Sequence, residues 1–199
     1  AEAEEEVSRR IASRRSTAGD MTATLRAISD ICSAHGVALA SHDDDTVAKV
    51  ALMQALGASI SEFPVTVEAA TEARLRGLAT AMGAPNALRG KSYSGNLSAR
   101  DAHGLGLLDI LASDYHPSAI LPAVLELAKA DPQGLAGATR LATVNPARVL
   151  GMSDRGAIVS GLLADLVIAD DTGIGHVRAT LRHGAMIYSD GSVPLGRAA

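Results

Sequence analysis

The sequence predicts an α/β fold of parallel strands and helices, followed by a small β-rich segment. Between residues 37 and 130, a unit of short aliphatic strand, polar loop and helix recurs four times. After Gly151 the pattern changes to short aliphatic runs separated by turn residues. Tandem strand–helix units favour parallel strands joined by helical crossovers. Either a doubly wound sheet or half of a (β/α)8 barrel satisfies this pattern.

Aliphatic runs bounded by glycine and proline locate the individual elements. The strands of the repeated units are predicted at 37–41, 58–62, 79–82 and 108–113. Their helices are predicted at 46–56, 66–77 and 118–130, and a long loop at 83–106. Further helices are predicted at 1–18, 21–34 and within 134–150, and further strands within 156–169 and 177–188. We therefore expect two domains, an α/β domain at 1–152 and a β-sandwich segment at 153–199.

The composition excludes several classes of function. The chain of 199 residues is 47% hydrophobic and carries a net charge of −4, whereas a nucleic-acid binder would present a basic face. One Phe, three Tyr and no Trp also leave few platforms for base stacking. No apolar run approaches the ~18 residues of a membrane span. The single cysteine, Cys32, fits a reducing compartment, so we expect a cytoplasmic protein.

The first six residues are Ala-Glu-Ala-Glu-Glu-Glu, without an initiator Met or a signal-peptide pattern. They lead directly into a predicted helix. We therefore expect this chain to be the C-terminal part of a longer one.

Residues 41–45, Ser-His-Asp-Asp-Asp, are the first candidate site. The preceding strand would deliver His42, Asp43 and Asp44 together at its carboxyl end, which is where parallel α/β folds place their chemistry. Imidazole and carboxylate groups can bind a divalent cation or transfer protons. The alternative is an Asp-capped start of a helix with one incidental histidine.

Polar residues follow the other predicted strands as well. Glu62, Asn86 and Asp114 come at or just after three successive strand ends. Each could cap a helix, as we expect of Asp44, Asp45 and Thr66, but core packing does not require acids at corresponding ends of several strands. Asp114 could bind a metal or take a proton from metal-bound water. His116 could contact the site or only line its rim.

The stretch 83–96 brings Arg89, Lys91, three glycines and several hydroxyl or amide groups together. Glycines let backbone N–H groups approach an anion, and the two cations can neutralise phosphate oxygens. The order of residues is not that of a Walker motif. We favour an anion-binding loop over a flexible surface loop, because long loops inside compact domains are often functional.

These segments resemble the amidohydrolase superfamily. Within it they resemble the phosphonate-catabolism diphosphatases that act on α-D-ribose 1-methylphosphonate 5-triphosphate. The matching blocks are Ser41–Asp44, Ile60–Pro64, Met82–Asn86 with Arg89-Gly90, Ser94–Asn96 and Asp109–Tyr115. Thr143–Ala147 and Gly161–Val167 resemble the end of the superfamily's barrel and the small β-sandwich that follows. The resemblance implies that residues 1–152 are the C-terminal half of a (β/α)8 TIM barrel.

The resemblance implies a hydrolase that holds one or two divalent cations (zinc, manganese or magnesium) and releases diphosphate from the substrate's triphosphate. It implies metal ligation by His42, Glu62 and Asp114, and catalytic roles for Asp43 and Asp114. Phosphate or ribose would be held by Asn86, Arg89, Lys91, Ser92, Ser94 and Asn96. The expected partners are a small phosphorylated substrate, a second copy of the chain, and the missing N-terminal half of the barrel.

Two features depart from the family pattern. The superfamily's His-x-His pair is not in this chain, so its metal ligands would come from elsewhere. Tyr93 stands where the family usually carries histidine. The alternative functions are another amidohydrolase, acting on a cyclic amide or deaminating a base, and a truncated relative without catalytic activity.

Overall fold

The computed structural model describes residues 5–7, 9–10, 18–92 and 95–193. Residues 5–7, 9–10 and 18 are helical, and the other residues of the helix predicted at 1–18 lie outside the described residues. Tyr93 and Ser94 also lie outside them.

The N-terminal helix and the α/β units follow the predicted order. Their elements are α1 (Ala18–Ala34), β1 (Leu39–His42), α2 (Val47–Ala55), β2 (Ala58–Glu62), α3 (Val67–Leu75), β3 (Ala79–Gly83), α4 (Ala84–Arg89), α5 (Ala99–Gly104) and β4 (Ile110–Ala112). A 3₁₀ turn (Pro117–Ala119) then leads into α6 (Ile120–Ala128), α7 (Gly134–Arg140) and α8 (Val144–Val149). The last three elements are β5 (Leu166–Asp170), β6 (His176–Arg182) and β7 (Ala185–Ser189).

Strands β1 to β4 form one parallel sheet in sequence order. The pairing aligns His42 with Glu62, Glu62 with Ala81, and Ala81 with Ile110. Residues paired in this way point to the same side of a sheet. His42 and Glu62 therefore share a face at the carboxyl end of their strands.

The two faces of the sheet carry separate apolar clusters. On the face shared with His42, Ile60, Ala81 and Ile110 are buried, and Val149 of α8 packs against them. On the opposite face, Met82 and Leu111 are buried beneath helices. A parallel sheet covered by helices on one face, with an aliphatic cluster on the other, is half of a (β/α)8 barrel, as predicted.

The stretch 83–106 is not the single long loop that the sequence predicts. It contains the short helices α4 and α5. Pro85 lies in the first turn of α4, a favoured place for proline. Gly90 ends α4 with a left-handed φ of 75°. The side chain of Ser98 accepts from the N–H of Asp101 and caps α5.

Strands β5 to β7 form a separate antiparallel sheet, as predicted for the C-terminal segment. Within the range 156–169, where β structure was predicted, only residues 166–169 lie in a strand, and residues 156–165 form turns and irregular backbone. The domain boundary at 152/153 stays a prediction. Among the described residues, no helix combines the length and the apolarity needed to cross a bilayer.

Candidate active site at the carboxyl edge of the parallel sheet

The first two predicted site residues meet at the end of β1. The Nδ1 atom of His42 lies 3.2 Å from Oδ2 of Asp43, and Nε2 of His42 lies 3.9 Å from Oε2 of Glu62. The His42 side chain is 59% exposed, so its ring is open to a ligand from solvent. The structure therefore brings one imidazole and two carboxylates to one place on the sheet edge.

Three non-glycine residues at this edge adopt left-handed backbone conformations. Asp43, Phe63 and Asp114 have φ angles of 52°, 53° and 55°, and each follows a strand of the sheet closely. The N–H of Asp43 donates to Glu62 O at 3.0 Å, and that of Phe63 donates to Ala81 O at 2.8 Å. Such conformations cost about 1–3 kcal/mol each and concentrate at functional sites.

Phe63, the only phenylalanine of the chain, lies between His42 and Asp114. Its ring centroid is 5.4 Å from that of His42. A Cβ atom at Gly83 would lie 3.1 Å from Phe63 Cε1 and 3.1 Å from Oδ2 of Asp114. The absence of a side chain at Gly83 thus lets the phenyl ring and the Asp114 carboxylate approach the end of β3.

Asp44 has a structural environment. Its side chain is fully buried, and Oδ2 accepts from the hydroxyls of Ser41 at 2.5 Å and Ser61 at 2.6 Å. The prediction that Asp44 and Asp45 cap the following helix is wrong, because Thr46 accepts from the N–H of Lys49 and is the N-cap. The prediction for Thr66 is confirmed, since it caps α3 by accepting from Ala69 N–H.

The predicted substrate-binding residues have different surroundings. Oδ1 of Asn86 accepts from Ala99 N–H at 2.9 Å and so joins α4 to α5. Nη1 of Arg89 donates to the hydroxyl of Tyr115 at 2.5 Å, which links α4 to the loop after β4. Lys91 and Asn96 are exposed, and Ser92 is half-buried. Ser94 lies outside the described residues. Binding of phosphate by this set stays a prediction.

The donor set of the described residues does not complete a metal site. Across residues 18–92 and 95–193, no three His, Cys, Asp or Glu side chains lie close enough to hold an ion together. His42 and Glu62 offer one nitrogen and one oxygen donor, whereas zinc commonly takes three or four protein ligands. Metal ligation by His42, Glu62 and Asp114 therefore stays a prediction that requires further donors.

Two residues at this edge were not singled out from the sequence. Lys49 Nζ donates to the carbonyls of His42 and Asp43, and Phe63 contacts the His42 ring. The helix dipole disfavours a lysine in the first turn of a helix. The position of Lys49 in the sequence was therefore a signal that its side chain has a role outside the helix. For Phe63, the signal in the sequence was that the single phenylalanine of the chain directly follows a predicted strand.

No protein-family model matches the chain. Over 167 residues, 81% of its length, the chain is 46% identical to alpha-D-ribose 1-methylphosphonate 5-triphosphate diphosphatase of Escherichia coli (strain K12). It spans 43% of the length of that relative.

Solved structures share the fold at lower identity. A prolidase complexed with N-methylphosphonate-L-proline superposes with a TM-score of 0.65 at 19% identity, over 83% of this chain and 48% of the prolidase. An amidohydrolase from Thermotoga maritima MSB8 has a TM-score of 0.58 at 17% identity, over 76% of this chain and 43% of that one. The chain thus has the fold of about half of such a protein.

Proposed function

We propose that the chain is the C-terminal half of a phosphonate-pathway hydrolase of the amidohydrolase superfamily, because it is 46% identical over 81% of its length to the Escherichia coli diphosphatase and shares the fold of a solved amidohydrolase. The proposed reaction is cleavage of the triphosphate of α-D-ribose 1-methylphosphonate 5-triphosphate. Water adds to phosphorus, the bond between the α- and β-phosphates breaks, and diphosphate leaves behind a 5-phosphate. The observation that carries this proposal is the 46% identity over four fifths of the chain.

The geometry of the strand ends supports a hydrolytic site at this edge. His42 is exposed and has Asp43 at its Nδ1 and Glu62 near its Nε2. A carboxylate at one ring nitrogen fixes the tautomer and leaves the other nitrogen free to act as a ligand. We assign Asp43 this orienting role.

A divalent cation would supply Lewis-acid activation of water in such an enzyme. The described residues provide only part of its ligands, so we place the remaining donors in the part of the longer relative that this chain does not span. Residues His42, Glu62 and Asp114 are this chain's proposed contribution.

The cations near α4 support a phosphorylated substrate. Lys91 is exposed. Arg89 donates a hydrogen bond to Tyr115, the residue that follows Asp114. Both can neutralise phosphate oxygens, and Arg can do so through two parallel hydrogen bonds. A substrate without phosphate would not need them, which favours a diphosphatase over an enzyme for neutral cyclic amides.

The proposal is tested by measuring diphosphate release in a protein that contains the complete barrel. We expect His42→Ala to lower kcat/KM about 10²-fold or more, because losing only a residue that supports a ligand typically costs about 10–100-fold in metal affinity or activity, and losing the ligand itself costs more. His35→Ala is the matched control, since His35 is an exposed residue after α1 and should leave the rate unchanged.

Two results would contradict the proposal. The first is wild-type turnover by the His42 variant. The second is wild-type protein that hydrolyses neutral cyclic amides but leaves the triphosphate intact.

A further inference from the structure

One side chain, that of Lys49, binds the backbone at the end of β1. Its Nζ donates to the carbonyl oxygens of His42 at 2.8 Å and Asp43 at 2.7 Å. The intervening turn is left-handed at Asp43, with φ of 52°. Left-handed φ is uncommon outside glycine, although Asp adopts it more often than most residues. The lysine thus holds the peptide units that carry the two exposed side chains of the candidate site.

A buried carboxylate holds the lysine in turn. Asp44 is fully buried, and its Oδ2 accepts from Ser41 and Ser61. Its Oδ1 has no hydrogen-bond partner within the described part of the chain and lies 3.7 Å from Lys49 Nζ. A buried carboxylate is unfavourable without a nearby cation. The ammonium group therefore acts both as counter-ion to Asp44 and as donor to the two carbonyls.

The stability of helix α2 does not explain a lysine at this position. Lys49 is the third residue of α2 and its N–H donates to Thr46, the N-cap. The helix dipole disfavours a cation in the first turn and favours an acid there. The contacts of Lys49 to the preceding strand end are what distinguish this position.

We propose that Lys49 is a positioning residue, which fixes the directions of the His42 and Asp43 side chains without touching the substrate. This inference rests on the hydrolase function proposed above. It extends that function by assigning the strained turn after β1 a defined support, namely the contact of Lys49 with Asp44 and two carbonyls.

The kinetic test separates positioning from charge balance, in a protein that contains the complete barrel. Lys49→Met leaves Asp44 without its cation, whereas the double variant with Asp44→Asn removes both charges. We expect the double variant to unfold at a higher temperature than Lys49→Met. Its kcat should still be at least about 10-fold below wild type, with KM changed less than about threefold, because orientation is lost while substrate contacts remain.

Lys49→Arg should restore kcat to within about threefold of wild type, because a guanidinium can donate to both carbonyls. Lys129→Met is the matched control, since Lys129 is 72% exposed and pairs only with Glu126 among the described residues. Wild-type kcat in the double variant would overturn the proposal and reduce Lys49 to a counter-ion.

A second readout does not depend on the reaction. In the same proteins, the imidazole ¹H–¹⁵N correlations of His42 report the orientation and surroundings of its ring. We expect these signals to shift in the double variant and to stay unchanged in Lys129→Met. If the wild-type protein releases no diphosphate, the proposed function fails, but the His42 signals still test whether Lys49 positions the His42 side chain. Unchanged His42 signals in the double variant would overturn the positioning role.

Discussion

Gly83 has little room for a side chain at the candidate site. Its φ of −77° is open to any residue, so the constraint there is space alone. A Cβ would meet the Phe63 ring and the Asp114 carboxylate, each at 3.1 Å. Contacts this close require the neighbours to move by a few tenths of an ångström. The carboxylate is the group whose displacement would matter for function.

We therefore predict that Gly83→Ala lowers kcat about 10-fold while changing the melting temperature little, because a small misplacement of a reacting group is costly for the rate. Gly104→Ala is the control, since a Cβ there meets nothing within 4 Å. That variant should keep its activity and gain slightly in stability. Equal effects of the two substitutions on diphosphate release would contradict the role of this close approach.

Asp44 gives a prediction on stability. Asp44→Ala removes the acceptor of two buried hydroxyls and the partner of Lys49. We expect the free energy of unfolding to fall by about 3 kcal/mol, as measured by urea denaturation. Asp45→Ala removes an exposed carboxylate next to it and should change the stability by less than about 0.5 kcal/mol. A near-zero effect at Asp44 would show that the buried network contributes nothing.

The sequence predicts which residues reach the sheet edge but not how they are held there. His42 and Glu62 could be placed because aliphatic runs fix where strands end. The left-handed φ of Phe63 could not be predicted from the sequence, since a bulky residue has no intrinsic preference for that conformation. Nor could the burial of Asp44, because Asp is a common N-cap and Thr46 competes for the same role.

At the scale of elements, the strands are the part best predicted from the sequence. Strand β2 has its predicted bounds, 58–62, because Gly57 and Pro64 delimit a short aliphatic segment. The helices α4 and α5 were missed, since each has only six residues and glycines surround them. The available signals were Pro85 at a helix start and Ser98 three residues before Asp101.

The antiparallel sheet gives a prediction on acid sensitivity. Hydrogen bonds from the side chain and backbone of Ser192 and from Arg178 lower the pKa of Asp190 to about 2. The folded state therefore binds fewer protons than the unfolded state between about pH 4 and pH 2. The contribution of Asp190 is complete above this window and is lost as the pH falls through it.

Asp190→Asn should accordingly lower the melting temperature at pH 7 and flatten its decline between pH 4 and pH 2. Asp171→Asn is the control with the same charge change at an exposed site. The melting temperature is measured by thermal melts across this pH range. If it depends on pH in the Asp190 variant as it does in the wild type, the assigned role of Asp190 in acid sensitivity is contradicted.

At the scale of the whole molecule, the four parallel strands match about half of a solved relative with the same fold. Strand β1 lies at one edge of the sheet, and Ala40 and His42 on its inner face are exposed. At the other edge, Leu111 N–H donates to Leu141 O at 2.8 Å, so the turn after α7 already covers part of β4. An open strand edge is a template for pairing. We propose that strands from the part of the longer relative that this chain does not span pair with β1.

We expect metal binding to depend on the additional strands that would pair with β1. We predict that the 199-residue chain alone binds zinc or manganese at least about 10²-fold more weakly than the complete barrel, because its described residues offer too few donors. Elemental analysis after gel filtration measures this. Equal, stoichiometric metal in both proteins would mean that this chain carries a complete site.

The most direct measurement is the position of the metal in the complete barrel, located by anomalous diffraction at the zinc edge. We expect the ion to be bound by Nε2 of His42 and by an oxygen of Glu62. An ion bound at the barrel mouth by neither residue would contradict it.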